Sequence, residues 1–142
     1  MTYTKLRLIS ITLLIYFSSV DLFSQDVSLG KRYFFSGDYE KAIKELRTNR
    51  PTVESLLWLS LTLSANGRSG EALDIFTNVP DWQRFVPLLN RVAEIEYDLG
   101  HYDKAKTLFQ KALQQKSRFI PAQYNYGKMQ YEWGNPAEEK KN

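Results

Sequence analysis

The chain has 142 residues, 43% of them apolar, 14% aromatic and 25% charged, and no cysteine. That length suits a single domain, the apolar content is that of a folded chain rather than a disordered one, and the missing thiols exclude a disulfide framework, a zinc-thiolate centre and a cysteine nucleophile. Nineteen basic and sixteen acidic residues leave a balance of +3, too even to mark a nucleic-acid surface, which needs clustered Lys and Arg.

Residues 1–24 open with Lys5 and Arg7, run through the apolar stretch Leu8 to Phe17 and close in small or polar residues. This is the layout of a secretory signal peptide. A bilayer-spanning helix takes about 20 apolar residues, whereas this run is diluted by Ser10 and Thr12 and closed by Ser18, Ser19 and Asp21. Cleavage before Gln25 is expected. No membrane span is then predicted in the remainder, and the protein is expected in the periplasm or outside the cell. Loss of Lys5, Arg7 and Asp21 leaves 17 basic and 15 acidic residues, a balance of +2.

Beyond that segment the spacing predicts helices over 26–36, 38–49, 52–65, 69–78, 86–99, 102–116 and 120–133. The connection 78–85 is the longest and has room for one extra helical turn. Gly37, Gly67, Gly100 and Gly134 fall at the ends of alternate helices, where a left-handed residue closes a helix at least cost. Asp38, Ser69 and either His101 or Asp103 stand at the next starts, as expected of caps. Pro51, Pro87 and Pro121 stand near the starts of the other helices, where proline is tolerated. Residues 135–142 read as a charged C-terminal tail.

The four glycines are 30, 33 and 34 residues apart. Five residues after the first three come Ala42, Ala72 and Ala105, and nine residues after come Leu46, Phe76 and Phe109. Seven to eight residues before the four glycines come Leu29-Gly30, Leu59-Ser60, Val92-Ala93 and Tyr126-Gly127. A period in this range marks a repeat architecture. Small residues at matched sites let two helices approach closely, and each helix pair leaves an apolar face that its neighbour covers.

This pattern resembles the tetratricopeptide repeat, a helix-turn-helix unit of about 34 residues. The third unit matches through Leu89, Ala93, Gly100, Tyr102, Ala105, Phe109 and Ala112. The second departs from the pattern with Ser69 where an aromatic is usual, and a fourth breaks off at Asn135-Pro136. The resemblance implies an all-α, right-handed α-solenoid of about three and a half repeats over 25–134. It also implies a binding groove lined by the first helix of each unit. Carried onto this sequence, the lining is Val27, Lys31, Phe34 and Phe35; Glu54, Leu57, Leu61 and Ala65; Asn90, Glu94, Tyr97 and Asp98; and Tyr124, Lys128, Tyr131 and Glu132.

Little else in the sequence suggests chemistry. His101, the single histidine, falls in a helix-helix turn and reads as an exposed residue rather than a ligand. Glu94 and Asp98 share a helical face, as an acid-base or cation-binding pair would, but a solvated or partner-facing edge is favoured. Ser60 and Ser69 lack a nucleophile elbow, and no phosphate loop or dinucleotide glycine motif occurs. The Tyr and Trp residues fall mostly at apolar repeat offsets, which favours core over stacking platforms for nucleic acid. Some members of the family grip a peptide's terminal carboxylates with basic and Asn side chains. Only Lys31, Asn90 and Arg91 lie near that layout, so such a clamp is not expected.

The expected function is therefore non-enzymatic protein-protein interaction at the cell envelope, with a peptide or partner helix held in the groove and no cofactor, metal or nucleic acid involved. Phe34, Phe35, Tyr97, Tyr124 and Tyr131 are the expected anchors. The alternative is a structural or oligomerising subunit, or a fragment of a longer repeat protein. It would associate through its C-terminal helix, as a homodimer contacting through Phe119, Tyr126 and Trp133.

Overall fold

The computed structural model describes residues 27–48 and 51–133. The expected export segment 1–24, Gly134 and the tail 135–142 lie outside the described residues. Helix α1 occupies 27–35. It is followed by α2 (Tyr39–Thr48), α3 (Val53–Ala65), α4 (Ser69–Thr77), a 3₁₀ turn (Trp82–Arg84), α5 (Val86–Asp98), α6 (Tyr102–Gln115) and α7 (Ile120–Trp133). Each expected helix is present within a residue or two of its predicted ends, and the extra turn lies in the long connection. No strand occurs among the described residues.

The three hairpin turns share one geometry. Gly37, Gly67 and Gly100 have φ of 79°, 74° and 81°, a conformation that costs L-residues with a Cβ but not glycine. In each, the glycine N–H and the next N–H turn back to the preceding helix: Gly100 donates to the Tyr97 carbonyl at 2.9 Å and His101 to that of Glu96 at 2.8 Å. Two otherwise orphaned carbonyls are satisfied this way.

The expected side-chain caps do not form at two of the three following starts. Arg68, not Ser69, is the cap residue of α4, and neither it nor His101 at α6 makes a side-chain cap bond. The capping box lies instead at α3, where the Thr52 hydroxyl accepts from Ser55 N at 3.1 Å and Ser55 Oγ accepts from Thr52 N at 2.8 Å.

The small residues sit where helices touch. Ala42, Ala72 and Ala105 are fully buried, and Leu46, Phe76 and Phe109, one turn on, are nearly so. Two apolar clusters result. One joins α2, α3, α4 and part of α5 through Ile43, Leu46, Leu63, Phe76 and Ile95; the other joins α5, α6 and α7 through Leu89, Ala93, Phe109, Ala112, Ala122 and Met129. Helix α5 serves both, with Leu88, Val92 and Ile95 on one side and Leu89 and Ala93 on the other. This is nearest-neighbour stabilisation, in which each unit completes the core of the one before.

Candidate binding face on the first helices

Helices α1, α3, α5 and α7 open the successive units, and side chains tie each to the next. The residues nine before the four glycines are Ser28, Trp58, Arg91 and Asn125. The last three each reach back onto the preceding first helix. Trp58 packs edge-on against Phe34 and Phe35 of α1, with ring centroids at 5.6 and 5.7 Å, and Lys31 Nζ lies 5.1 Å over its ring. Arg91, buried, donates from Nε to Ser60 Oγ and from Nη2 to Ser60 O, both at 3.1 Å, and from Nη2 to Ser64 Oγ at 2.7 Å. Asn125 donates to Asn90 Oδ1 at 3.2 Å and to Glu94 Oε1.

Glu94 closes this network. Its carboxylate accepts from Arg91 Nη1 at 2.9 Å and from Asn90 Nδ2 at 2.7 Å. A guanidinium that has left water needs its charge and its N–H groups matched, and Ser60, Ser64 and Glu94 do this between them. The polar floor is therefore self-satisfied.

Above that floor lies a cleft of about 290 Å³ lined by Arg91, Glu94, Tyr97, Asp98, Asn125 and Lys128, with Phe109 at its back. Tyr97 donates to the Glu132 carboxylate of α7, and Lys128 lies 4.0 Å from the same carboxylate. That hydrogen bond to Glu132, helped by partial burial, pushes the Tyr97 hydroxyl up to about 12; it is a hydrogen-bond donor throughout the neutral range. Asp98 and Lys128 are exposed at the rim.

The predicted lining thus falls into two regions. Glu94, Tyr97, Asp98 and Lys128 come together in the cleft, with Asn90 beneath as part of the floor and Tyr124 outside, 69% exposed. At the other end Lys31 pairs with Glu54 at 2.5 Å, Phe34 is half-buried in an aromatic group with Phe35, Tyr39 and Trp58, and Phe35 is 75% exposed. Leu57 packs against the core and is not a free anchor; Leu61 and Val27 are half-buried and Ala65 is exposed. Lys31, Asn90 and Arg91 are engaged by Glu54 and Glu94, so no free carboxylate clamp exists among the described residues.

The contacts named for a homodimer are placed differently from expectation. Phe119 and Tyr126 turn inward onto the Phe109 cluster, and Trp133 lies against Tyr102 at 5.6 Å while remaining 43% exposed. The apolar side chains that α7 leaves open are Ile120, Tyr124 and Tyr131. Tyr126 lies on the side of α7 that meets α6, with its ring 6.2 Å from that of Phe109 and its hydroxyl accepting from Gln110 Nε2 at 3.1 Å. His101 is exposed in its turn with Nδ1 at 2.6 Å from Glu96 Oε2.

Sequence reasoning missed Trp58, Arg91 and Asn125 as a set. The signal was present in their common offset from the glycines, but an indole, a guanidinium and an amide share no chemistry by which to align them. Among the described residues, no three side chains form a potential metal-binding group and no helix is long and apolar enough to cross a membrane.

Residues 86–118, covering α5 and α6, match the family profile described as tetratricopeptide repeat. Helices α5 and α6 are thus a unit of the tetratricopeptide-repeat type. The fold of the chain is similar to two crystal structures of PcrH. For PcrH from Pseudomonas aeruginosa the TM-score is 0.65 at 20% identity, covering 79% of this chain and 91% of that one. For PcrH in complex with the chaperone binding region of PopB it is 0.63 at 21% identity, covering 77% of this chain and 94% of that one. No curated protein matches the sequence.

Proposed function

We propose that this repeat protein is a non-enzymatic binding module that holds a peptide or helix of another protein along α1, α3, α5 and α7. The observation that carries this reading is the cleft between α5 and α7. Its floor of Arg91, Glu94, Asn90 and Asn125 spends its polar groups internally, while Tyr97, Asp98 and Lys128 stand at the surface. A surface of this kind offers aromatic area and both charge signs at a rim without a cost for leaving floor groups unpaired. Phe35 and Trp58 extend it at the other end of the array. That a similar fold is seen holding a segment of PopB supports the same kind of use here. The partner is met at the cell envelope, after export directed by residues 1–24, whose charged start and short apolar run support this placement.

A photo-crosslinking side chain placed at Lys128 in the producing cell tests the binding face. The expected result is a discrete adduct with one protein, absent when the same group replaces Lys106, exposed on α6. Equal or no adducts at both positions overturn the proposal. For export, mass spectrometry of the exported chain is expected to find Gln25 at its N-terminus, and a retained Met1 refutes cleavage.

A further inference from the structure

Charges along the binding face pair off and leave one over. Lys31 meets Glu54 at 2.5 Å, Arg91 meets Glu94 at 2.9 Å, and Lys128 lies 4.0 Å from Glu132. Asp98 lines the cleft, is exposed at its rim and forms no ion pair among the described residues. It is also the last residue of α5, so its charge adds to the negative end of that helix. Around the cleft two cations, Arg91 and Lys128, therefore face three carboxylates, Glu94, Asp98 and Glu132. The apolar part of the cleft is its back, where Tyr97 packs against the cluster that holds Phe109. At about 290 Å³ the space takes one long side chain, not a helix, which is about 10 Å across.

We propose, on the reading that this cleft is a binding site, that it admits one Lys or Arg side chain of the partner segment and that Asp98 selects it. The apolar stem runs along Phe109 and Tyr97 and the charged head ends at Asp98, the division that such side chains favour. The floor demands nothing of the entrant, because Arg91, Glu94, Asn90 and Asn125 already satisfy one another. An acidic side chain would meet Asp98 and the negative end of α5, with Lys128 already drawn to Glu132. An aliphatic one would fill the same space but take water from the Asp98 carboxylate without replacing it. A cation on a long stem answers both the apolar back and the unpaired charge at the rim.

The test extends the crosslinking from position 128 in the producing cell. Adduct yield is compared among the parent, Asp98→Asn and Asp98→Lys chains, and the crosslinked partner segment is sequenced by mass spectrometry. A Lys or Arg in that segment is expected. The yield is expected to fall about threefold with Asp98→Asn and about tenfold or more with Asp98→Lys, which sets like charges together. Asp74→Lys makes the same charge change at an exposed site on α4, outside the cleft, and is expected to leave the adduct unchanged. Replacing the basic residue of the partner segment by Glu is expected to abolish the adduct with the parent and restore it with Asp98→Lys. Asp98 is exposed, so both variants are expected to fold, which circular dichroism checks; the nearly isosteric Asp98→Asn carries the comparison if Asp98→Lys does not. An adduct indifferent to the Asp98 variants, a segment without Lys or Arg, or no rescue on charge reversal overturns this inference and leaves the binding face standing. No adduct from the parent overturns both.

Discussion

Gly30 and Gly127 occupy the same repeat position in the first and last units, and the structure assigns the same substitution opposite signs at the two. A Cβ built at Gly30 falls 2.6 Å from Leu46 Cγ and 2.7 Å from its Cδ2, far inside the ~3.5–4 Å of an ordinary carbon contact. Leu46 is buried within its cluster, so it has little room to yield. Overpacking of this kind costs about 1–3 kcal/mol, against a gain of about 0.5–1 kcal/mol from replacing glycine with alanine inside a helix. Gly30→Ala is therefore expected to lose about 1 kcal/mol net. At Gly127 nothing stands within 4 Å, so Gly127→Ala keeps the helical gain of about 0.5–1 kcal/mol. At about 3–4 °C per kcal/mol for a chain of this size, thermal melts followed by circular dichroism separate the two variants. Adding Leu46→Ala to Gly30→Ala removes the clash, so the glycine substitution is expected to be neutral or stabilising in that background. Shifts of the same sign at both sites, or an undiminished loss in the Leu46→Ala background, refute the reasoning.

Three further outcomes follow from the geometry. Arg91→Ala strands Ser60, Ser64 and part of the Glu94 carboxylate; urea denaturation is expected to show a loss of about 3 kcal/mol, well above that of an exposed cation such as Lys106. Thr52→Ala removes half of the capping box of α3 and is expected to cost about 1 kcal/mol in the same assay. Glu71, hydrogen-bonded by Arg68 and then Arg47, has its carboxyl held below its ordinary 4.5. Its contribution is therefore present above pH 4.5 and lost as pH falls through the lower folded value. The stability gap between the parent and Glu71→Gln is expected to close in acid, and a gap that persists unchanged there contradicts the assignment.

Part of the candidate site was legible in the sequence. The resemblance to the repeat family placed Glu94, Tyr97 and Lys128 on neighbouring first helices, and the structure has them line one cleft. That placement could not separate Tyr124, which is open, from Tyr126, which packs inward. Both are tyrosines on one helix, and the difference between them is set by which side α6 covers. Nor did it reveal that Arg91 is held by Ser60 and Ser64 of α3 as well as by Glu94 one turn on, since hydrogen-bond partners two helices away leave no local trace in the chain.

The amino-acid sequence by itself determined where the chain must turn and where helices must come close. Glycine tolerates the left-handed turns at 37, 67 and 100, and alanine leaves room for a facing helix, and both demands are local and steric. Tertiary structure decided what those contacts leave over. Gly30 and Gly127 carry the same symbol at the same register position, yet one presses on Leu46 and the other faces empty space, because a residue's environment belongs to the helix laid over it.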